Sequence, residues 1–307
     1  MFSFGLAKKS YNPEQVKSET RTKSTPYMTP INLVCTYQLV DSSTPTGGFA
    51  HSNTVEVAHQ LHFIVHSSNS MSPYTLKLHV WEVCCNTCTS LLPFLVASCR
   101  LFHKYQDQSR SEVDINSIID EWLKLDIRLS ATMTSHVARR ASAMQGSGML
   151  RAYIQSFPHI SVPLKQIKKR VLKASAMTNS KSYDLFGVDG HAATCFGAVC
   201  GLLCLNVKDC TSMFLYTSVR DMINAAVRMN LVGPLEAGKL IHVICTQLDE
   251  FLGSYSFPQE NINDKCHDDN DTSVESAFDL NSSHQIAPIV EILANAHDRL
   301  YTRLFNS

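Results

Sequence analysis

The chain lacks net charge: 27 Lys and Arg are matched by 27 Asp and Glu. Proteins that hold a nucleic-acid backbone carry a basic excess, so that class is set aside for the chain as a whole, local patches apart. It also lacks long apolar runs. None reaches the ~20 residues that cross a bilayer, and no apolar signal core follows Met1. No Gly-rich turn leads into Lys-Ser or Lys-Thr, so the phosphate-cradling loop of a GTPase or ATPase is missing. Period-two alternation, βαβ alternation and internal repeats are missing too, which leaves an all-α class.

Cysteine is not scarce. There are eleven, in a chain of 307 residues long enough to build a core without disulfide staples. They sit among aliphatic residues, as in Val83-Cys84-Cys85 and Val199-Cys200-Gly201-Leu202, where a thiol packs as a small hydrophobe. A reducing, cytoplasmic location is expected. Residues 1–30 read as a disordered polar arm punctuated by Pro13, Pro26 and Pro30. Lys8, Lys9, Lys17, Arg21 and Lys23 give that arm a faint transit-peptide character, which Glu14 and Glu19 oppose.

Residues 31–307 read as a single domain of eight to ten helices. Val55, Ala58, Leu61 and Val65 share one helical face, and Tyr74–Tyr105 is helical with a break near Pro93. Asp114 caps a helix whose buried face carries Ile118, Trp122, Leu125 and Leu129, with Met133 and Val137 as a continuation. Val162–Ala176 is basic through Lys165, Lys168, Lys169, Arg170 and Lys173, most simply a solvated face. Gly190–Leu205 is rich in small residues and reads as the central buried helix. Asp209–Leu231 is amphipathic, Gly233-Pro234 ends one helix and starts the next, and that one runs to Leu252. Residues 254–285 form an acidic, mobile linker before a last helix over Gln285–Tyr301.

Few residues suggest chemistry. Asp41, His51 and Ser52 invite comparison with a hydrolase triad, but no strand carries a nucleophile elbow, and a tight turn around Gly47-Gly48 explains them. Cys85-x-x-Cys88 lacks a second ligand pair at zinc-site spacing, and Cys195, Cys200 and Cys204 read as packing residues. His59, His62 and His66 fall at helical spacing on a polar face. At the C-terminal end, His297, Arg299, Tyr301, Arg303, Leu304 and Phe305 are interface-type anchors that suggest docking, on the chain's own body or on a partner.

Asp41–Ala58, DSSTPTGGFAHSNTVEVA, resembles the N-terminal signature of the UreF family. Ser135–Arg151, FGVDGHAATCFGAVCGLLCL, SVRDMINAAVRMNLVGPLEAGKLIH and the ending AHDRLYTRLFNS resemble further blocks in the same order, closest to plant- and fungus-like members. Thr46 departs from an aliphatic residue of the family pattern, Asn53-Thr54-Val55 from a Gly-Leu step, and the acidic insertion after Gly253 is long. The resemblance implies an all-helical, non-enzymatic adaptor that dimerises and binds UreD (also called UreH). It also implies recruitment of the GTPase UreG and help in delivering nickel to apo-urease, with no tightly bound cofactor of its own. By the same resemblance Arg299, Tyr301, Arg303, Leu304 and Phe305 form a UreD-facing tail. Asp41, Pro45, Gly47, Gly48, Phe49, His51 and Glu56 form the signature turn, and Arg139, Arg140, Arg228 and Glu236 face UreG. Two other roles stay open. One is GTPase activation of UreG through an in-trans arginine, with Arg139, Arg140, Arg220 and Arg228 as candidates; the other is direct nickel binding.

Overall fold

The computed structural model describes residues 30–64, 75–107, 114–178, 187–253 and 278–307. Among the described residues there are eleven α-helices and no strand. In order they are α1 (Pro30–Val40), α2 (Val55–Gln60), α3 (Leu76–Ser90), α4 (Leu92–Asp107), α5 (Ile115–Thr132), α6 (His136–Ser156), α7 (Ser161–Thr178), α8 (Ala192–Leu202), α9 (Val207–Arg228), α10 (Pro234–Gly253) and α11 (Pro288–Ala296). The count passes the eight to ten expected because α2 and α11, at six and nine residues, are shorter than the usual helix behind that expectation.

Helix α8 is the centre: all eleven of its residues are buried. It can lie so deep because its glycines admit other backbones. A Cβ at Gly197 would overlap the Leu95 carbonyl, and one at Gly201 the Cys99 carbonyl, both on α4. Helix α6 packs on α8 as well, and α9 brings α10 to the same core. The N-terminus of α8 is held by a buried carboxylate from α5. Asp126 accepts the amides of Asp189 (3.1 Å), Gly190 (2.8 Å) and His191 (2.8 Å), and the Thr194 hydroxyl (2.6 Å). A negative charge there completes the orphan N–H groups and complements the helix dipole. Nearby, Trp122 donates its indole N–H to Ser98 Oγ and to the Thr194 carbonyl, each at 3.1 Å.

Several expected boundaries move. Helix α5 stops at Thr132, Met133 turns extended, and Ser135 caps α6 by accepting the Ala138 amide. Helix α2 ends at Gln60, so Leu61 is exposed, His62 is left-handed (φ 59°), and no histidine row runs along a helix here. Val65 and His66 lie outside the described residues. The left-handed residue closing α9 is Asn230 (φ 57°), an amide side chain that tolerates this conformation, and not Gly233. The arm over 1–29 and most of the acidic stretch, 254–277, lie outside the described residues. The end of that stretch does not behave as a linker. Phe278 is buried, Asp279 caps a 3₁₀ turn, and Arg128 donates to the Leu280 carbonyl at 3.0 Å. The last helix is correspondingly short, starting at Pro288 and passing into a 3₁₀ turn over His297–Arg299.

Candidate functional site

The signature turn and the C-terminal tail are about 250 positions apart and meet in one place. Gly47 takes φ 87°, which reverses the chain after α1. Gly48 then passes so close to Asp221 on α9 that a Cβ would overlap its carboxylate. Asn53 and Thr54 follow, left-handed at φ 47° and 75°. A β-branched residue at positive φ is strained. Thr54 is held there by its hydroxyl, which contacts Nε2 of the buried His79 at 2.9 Å and the Asn53 carbonyl.

That geometry presents Glu56, 2% exposed, at the start of α2. Its carboxylate accepts the backbone amides of Leu304 (Oε1, 2.6 Å) and Phe305 (Oε2, 3.2 Å). His297 Nε2 lies 3.4 Å from Oε2, equally buried. This is a close approach and not an aligned hydrogen bond, since neither ring nitrogen of His297 finds a directed partner. Around it the tail pairs almost as a strand would. Asn306 donates to the Ala50 carbonyl (2.9 Å), Ser52 donates its amide (2.7 Å) and hydroxyl (2.8 Å) to the Ser307 carbonyl, and His51 Nδ1 contacts Ser307 Oγ at 2.6 Å. Gln60 donates to the Thr302 carbonyl at 3.0 Å. Burial, reinforced by the neighbouring His297, lowers the His51 imidazole to about 4, so it stays neutral.

Arg228, the last residue of α9, closes the arrangement. Its guanidinium sits over the ring of Phe49 (4.1 Å to the centroid) and over that of Phe305 (4.3 Å), and it donates to the Phe49 carbonyl at 2.6 Å. Phe305 is thus an inward anchor of the tail. Tyr301 and Leu304 point the other way, 101% and 55% exposed. On α11, Ile289 and Ile292 are likewise 46% and 68% exposed. A second knot lies beside the tail. Asp298 receives both terminal nitrogens of Arg140 (2.8 and 3.2 Å), with His136 (3.2 Å) and Arg303 (3.3 Å). The Arg140 hydrogen bonds lead in holding the Asp298 carboxyl at about 2, with His136 contributing.

The residues assigned from sequence therefore separate differently. Phe49, His51, Glu56, Arg228 and Phe305 form one cluster, and Arg140 with Arg303 fixes Asp298. Asp41 bonds Ser43 at the surface (2.9 Å to its amide), so Asp41, His51 and Ser52 are not a triad. Pro45 is an exposed turn residue, Arg299 is exposed beside Tyr301, and Glu236 is exposed in the first turn of α10. Arg139 lines a shallow groove on α6 with His136, Arg151 and Asp189. Arg220 is occupied by Asp221 (2.8 Å) and the Val40 carbonyl. Gln60, Asp298, Asn306 and Ser307 were not singled out from sequence. Gln60, Asn306 and Ser307 bond mainly to backbone atoms, which leave no mark in residue spacing, and Asp298 meets side chains as far away as His136 and Arg140.

Cys84, Cys88, Cys99, Cys195, Cys200 and Cys210 are buried free thiols. Burial pushes Cys88 up to about 12, far from a metal-ligating thiolate. Among the described residues no three His, Cys, Asp or Glu side chains are grouped to hold a metal ion. No single helix among them is long and apolar enough to cross a membrane.

The UreF family model matches residues 82–244. The chain is 30% identical over 271 residues to urease accessory protein F of Arabidopsis thaliana, covering 88% of this chain and 91% of that protein. The protein of the same name in Oryza sativa subsp. indica is 30% identical over 269 residues, 88% and 83% of the two chains. Urease accessory protein 6 of Cryptococcus neoformans var. grubii is 23% identical over 306 residues, 88% and 96%.

Proposed function

Since the chain belongs to the UreF family of urease accessory proteins, we propose that it works in urease maturation as a non-catalytic adaptor. In this reading its docked tail is the surface that holds a UreD-type partner. The observation that carries it is the division of labour within the tail. Phe305 and the Leu304 and Phe305 amides are turned inward onto Arg228 and Glu56, while the Tyr301 and Leu304 side chains are exposed. Aromatic and aliphatic side chains on a backbone already fixed in place make a low-entropy anchor for a partner protein.

Arg299 and Arg303 flank these anchors and would meet acidic groups at the rim. A UreG-type GTPase would be recruited on a separate face, for which the α6 groove with Arg139 and Arg140 is the candidate, with Glu236 at the start of α10. Nickel and apo-urease are handled by the assembled complex, and a second copy of the chain completes it.

The test is co-purification. Tyr301→Ala/Leu304→Ala removes only exposed groups, so melting should stay within about 1 °C of the parent, as for surface substitutions generally. Capture of the UreD homologue should fall at least tenfold. Undiminished capture by this variant would overturn the tail assignment.

A further inference from the structure

Between α3, α6, α9 and α11 the helices do not close on one another. On α6, Ala138, Ala141, Ser142 and Gln145 share one helical face, and on α3 Asn86, Thr87 and Ser90 do the same. These are small or polar groups where large aliphatic ones would fill the interior. The result is a cavity of about 160 Å³, with Met133, Val137 and Phe214 in its apolar wall. A smaller lobe of about 40 Å³ adjoins it behind the signature turn, and Asn53, Gln145, Phe214 and Ser218 line both.

Several polar groups of the wall are already committed. Thr87 and Ser90 donate to carbonyls of their own helix (2.9 and 2.6 Å), and Asn86 is held by Gln285 (2.6 Å) and the Ile286 amide (2.8 Å). Three are not. Among the described residues the side-chain amides of Asn53 and Gln145 have no hydrogen-bond partner, and His297, 1% exposed, has neither ring nitrogen bonded. A buried polar group without a partner is uncommon in a folded protein and calls for one. The charge of the missing partner is constrained too. No Lys or Arg lines the larger lobe, and its one carboxylate, Glu291, accepts the Thr134 hydroxyl. An anion finds no counter-charge there, and a cation finds no set of ligands.

We propose that this cavity binds an uncharged, ring-sized molecule carrying a carboxamide. Size supports a single ring, since a cavity of about 150 Å³ accepts benzene. The apolar wall, Phe214 included, suits a flat ring. A carboxamide presents a donor and an acceptor together, which is what Asn53 and Gln145 present in return, and the His297 ring adds a further hydrogen-bonding nitrogen. The site is independent of the adaptor reading.

Benzamide is the probe, because benzoate copies its shape with a charge and toluene copies its ring without the amide. In full-length protein labelled at the methionine methyls, benzamide should shift Met133 saturably, half-saturating at about 1 mM or below. Met144, exposed and outside the cavity, should stay still. Benzoate should bind at least tenfold more weakly. Gln145→Leu keeps the volume and removes the amide, so it should weaken benzamide at least tenfold and leave toluene within about twofold. Ala141→Leu fills the cavity and should abolish binding of both; where that variant fails to fold, Gln145→Leu decides alone. No saturable Met133 shift up to about 10 mM benzamide, or benzoate binding as tight as benzamide, would overturn the proposal. So would parent-like benzamide affinity in Gln145→Leu, or loss of toluene along with benzamide in that variant.

Discussion

Replacing Glu56 by Gln changes one oxygen to an NH₂ group and leaves the side-chain shape alone, so it isolates the charge that clamps the tail. The parent carboxylate receives two backbone amides, at 2.6 Å from Leu304 and 3.2 Å from Phe305. Glutamine has one acceptor oxygen, so it can serve one amide while its own N–H groups face the other. Hydrogen bonds to a charged group contribute about 1.5–3 kcal/mol each, and a buried unsatisfied amide costs about 1–3 kcal/mol. A weakening of tail docking by about 3 kcal/mol follows, a factor of about 150 in the opening equilibrium. The rest of the fold does not rest on this contact, so the tail should open locally. Hydrogen exchange at the Leu304 and Phe305 amides should quicken by roughly that 150-fold factor in Glu56→Gln, in line with the opening equilibrium. Trypsin should cut sooner after Arg303, and protection over α8 should hold. Parent-like exchange at Leu304 and Phe305 would refute the clamp, because those two amides would then owe their protection to something other than the carboxylate.

Two further outcomes follow from buried groups. Asp126→Ala strips three backbone amides and the Thr194 hydroxyl of their acceptor at the start of α8. A loss of about 3–5 kcal/mol is expected, or a melting temperature lower by about 8–15 °C, with Asp126→Asn intermediate; a calorimetric shift under 2 °C for the alanine variant would contradict the capping account. Acidification should also destabilise the protein before its carboxylates titrate. Burial lowers His51 and His79 to about 4, and lowers His191 in the same sense. In the unfolded chain each returns to about 6.5 and binds a proton the folded form refuses. Stability is therefore full above about 6.5 and falls as the pH drops toward 4. At pH 5 each of the first two would cost about 2 kcal/mol. Urea midpoints at pH 7 and pH 5 check this, and a flat profile over that window would exclude neutral burial of the pair.

Helix existence was legible wherever one periodic face met a closed core. Ile118, Trp122, Leu125 and Leu129 read as a stripe, and the stripe is buried. Gly197, Ala198 and Gly201 marked α8 as a helix approached closely by another, because small residues have few other reasons to cluster in an apolar run. Helix ends were read less well where local propensity yields to a cap. Met133 and Val137 continue the apolar period of α5, yet Ser135 opens a new helix between them by bonding the Ala138 amide. A period test sums over a window and does not register a single serine hydroxyl. The acidic stretch was misjudged at its end for a related reason. Its composition is that of a solvated linker, but one buried aromatic, Phe278, together with Asp279 as a cap, is enough to seat residues 278–282.

The tail cluster was legible only in pieces. The turn and the tail both stood out, one for its glycines and the other for its aromatic and guanidinium groups, but no spacing rule connects Glu56 to Leu304. The link is made by backbone amides, which every residue except proline possesses, so the residue type at 304 or 305 says nothing of it. Arg228 shows the same limit from the other side. By resemblance it joined Arg139 and Arg140 as a candidate surface for a GTPase partner. Its flat faces are taken by Phe49 and Phe305, and the residue stays exposed at the end of α9. A lysine, which has no flat face to lay on two rings, could supply the charge but not the stacking. The arginine at 228 therefore belongs with the signature turn and the tail.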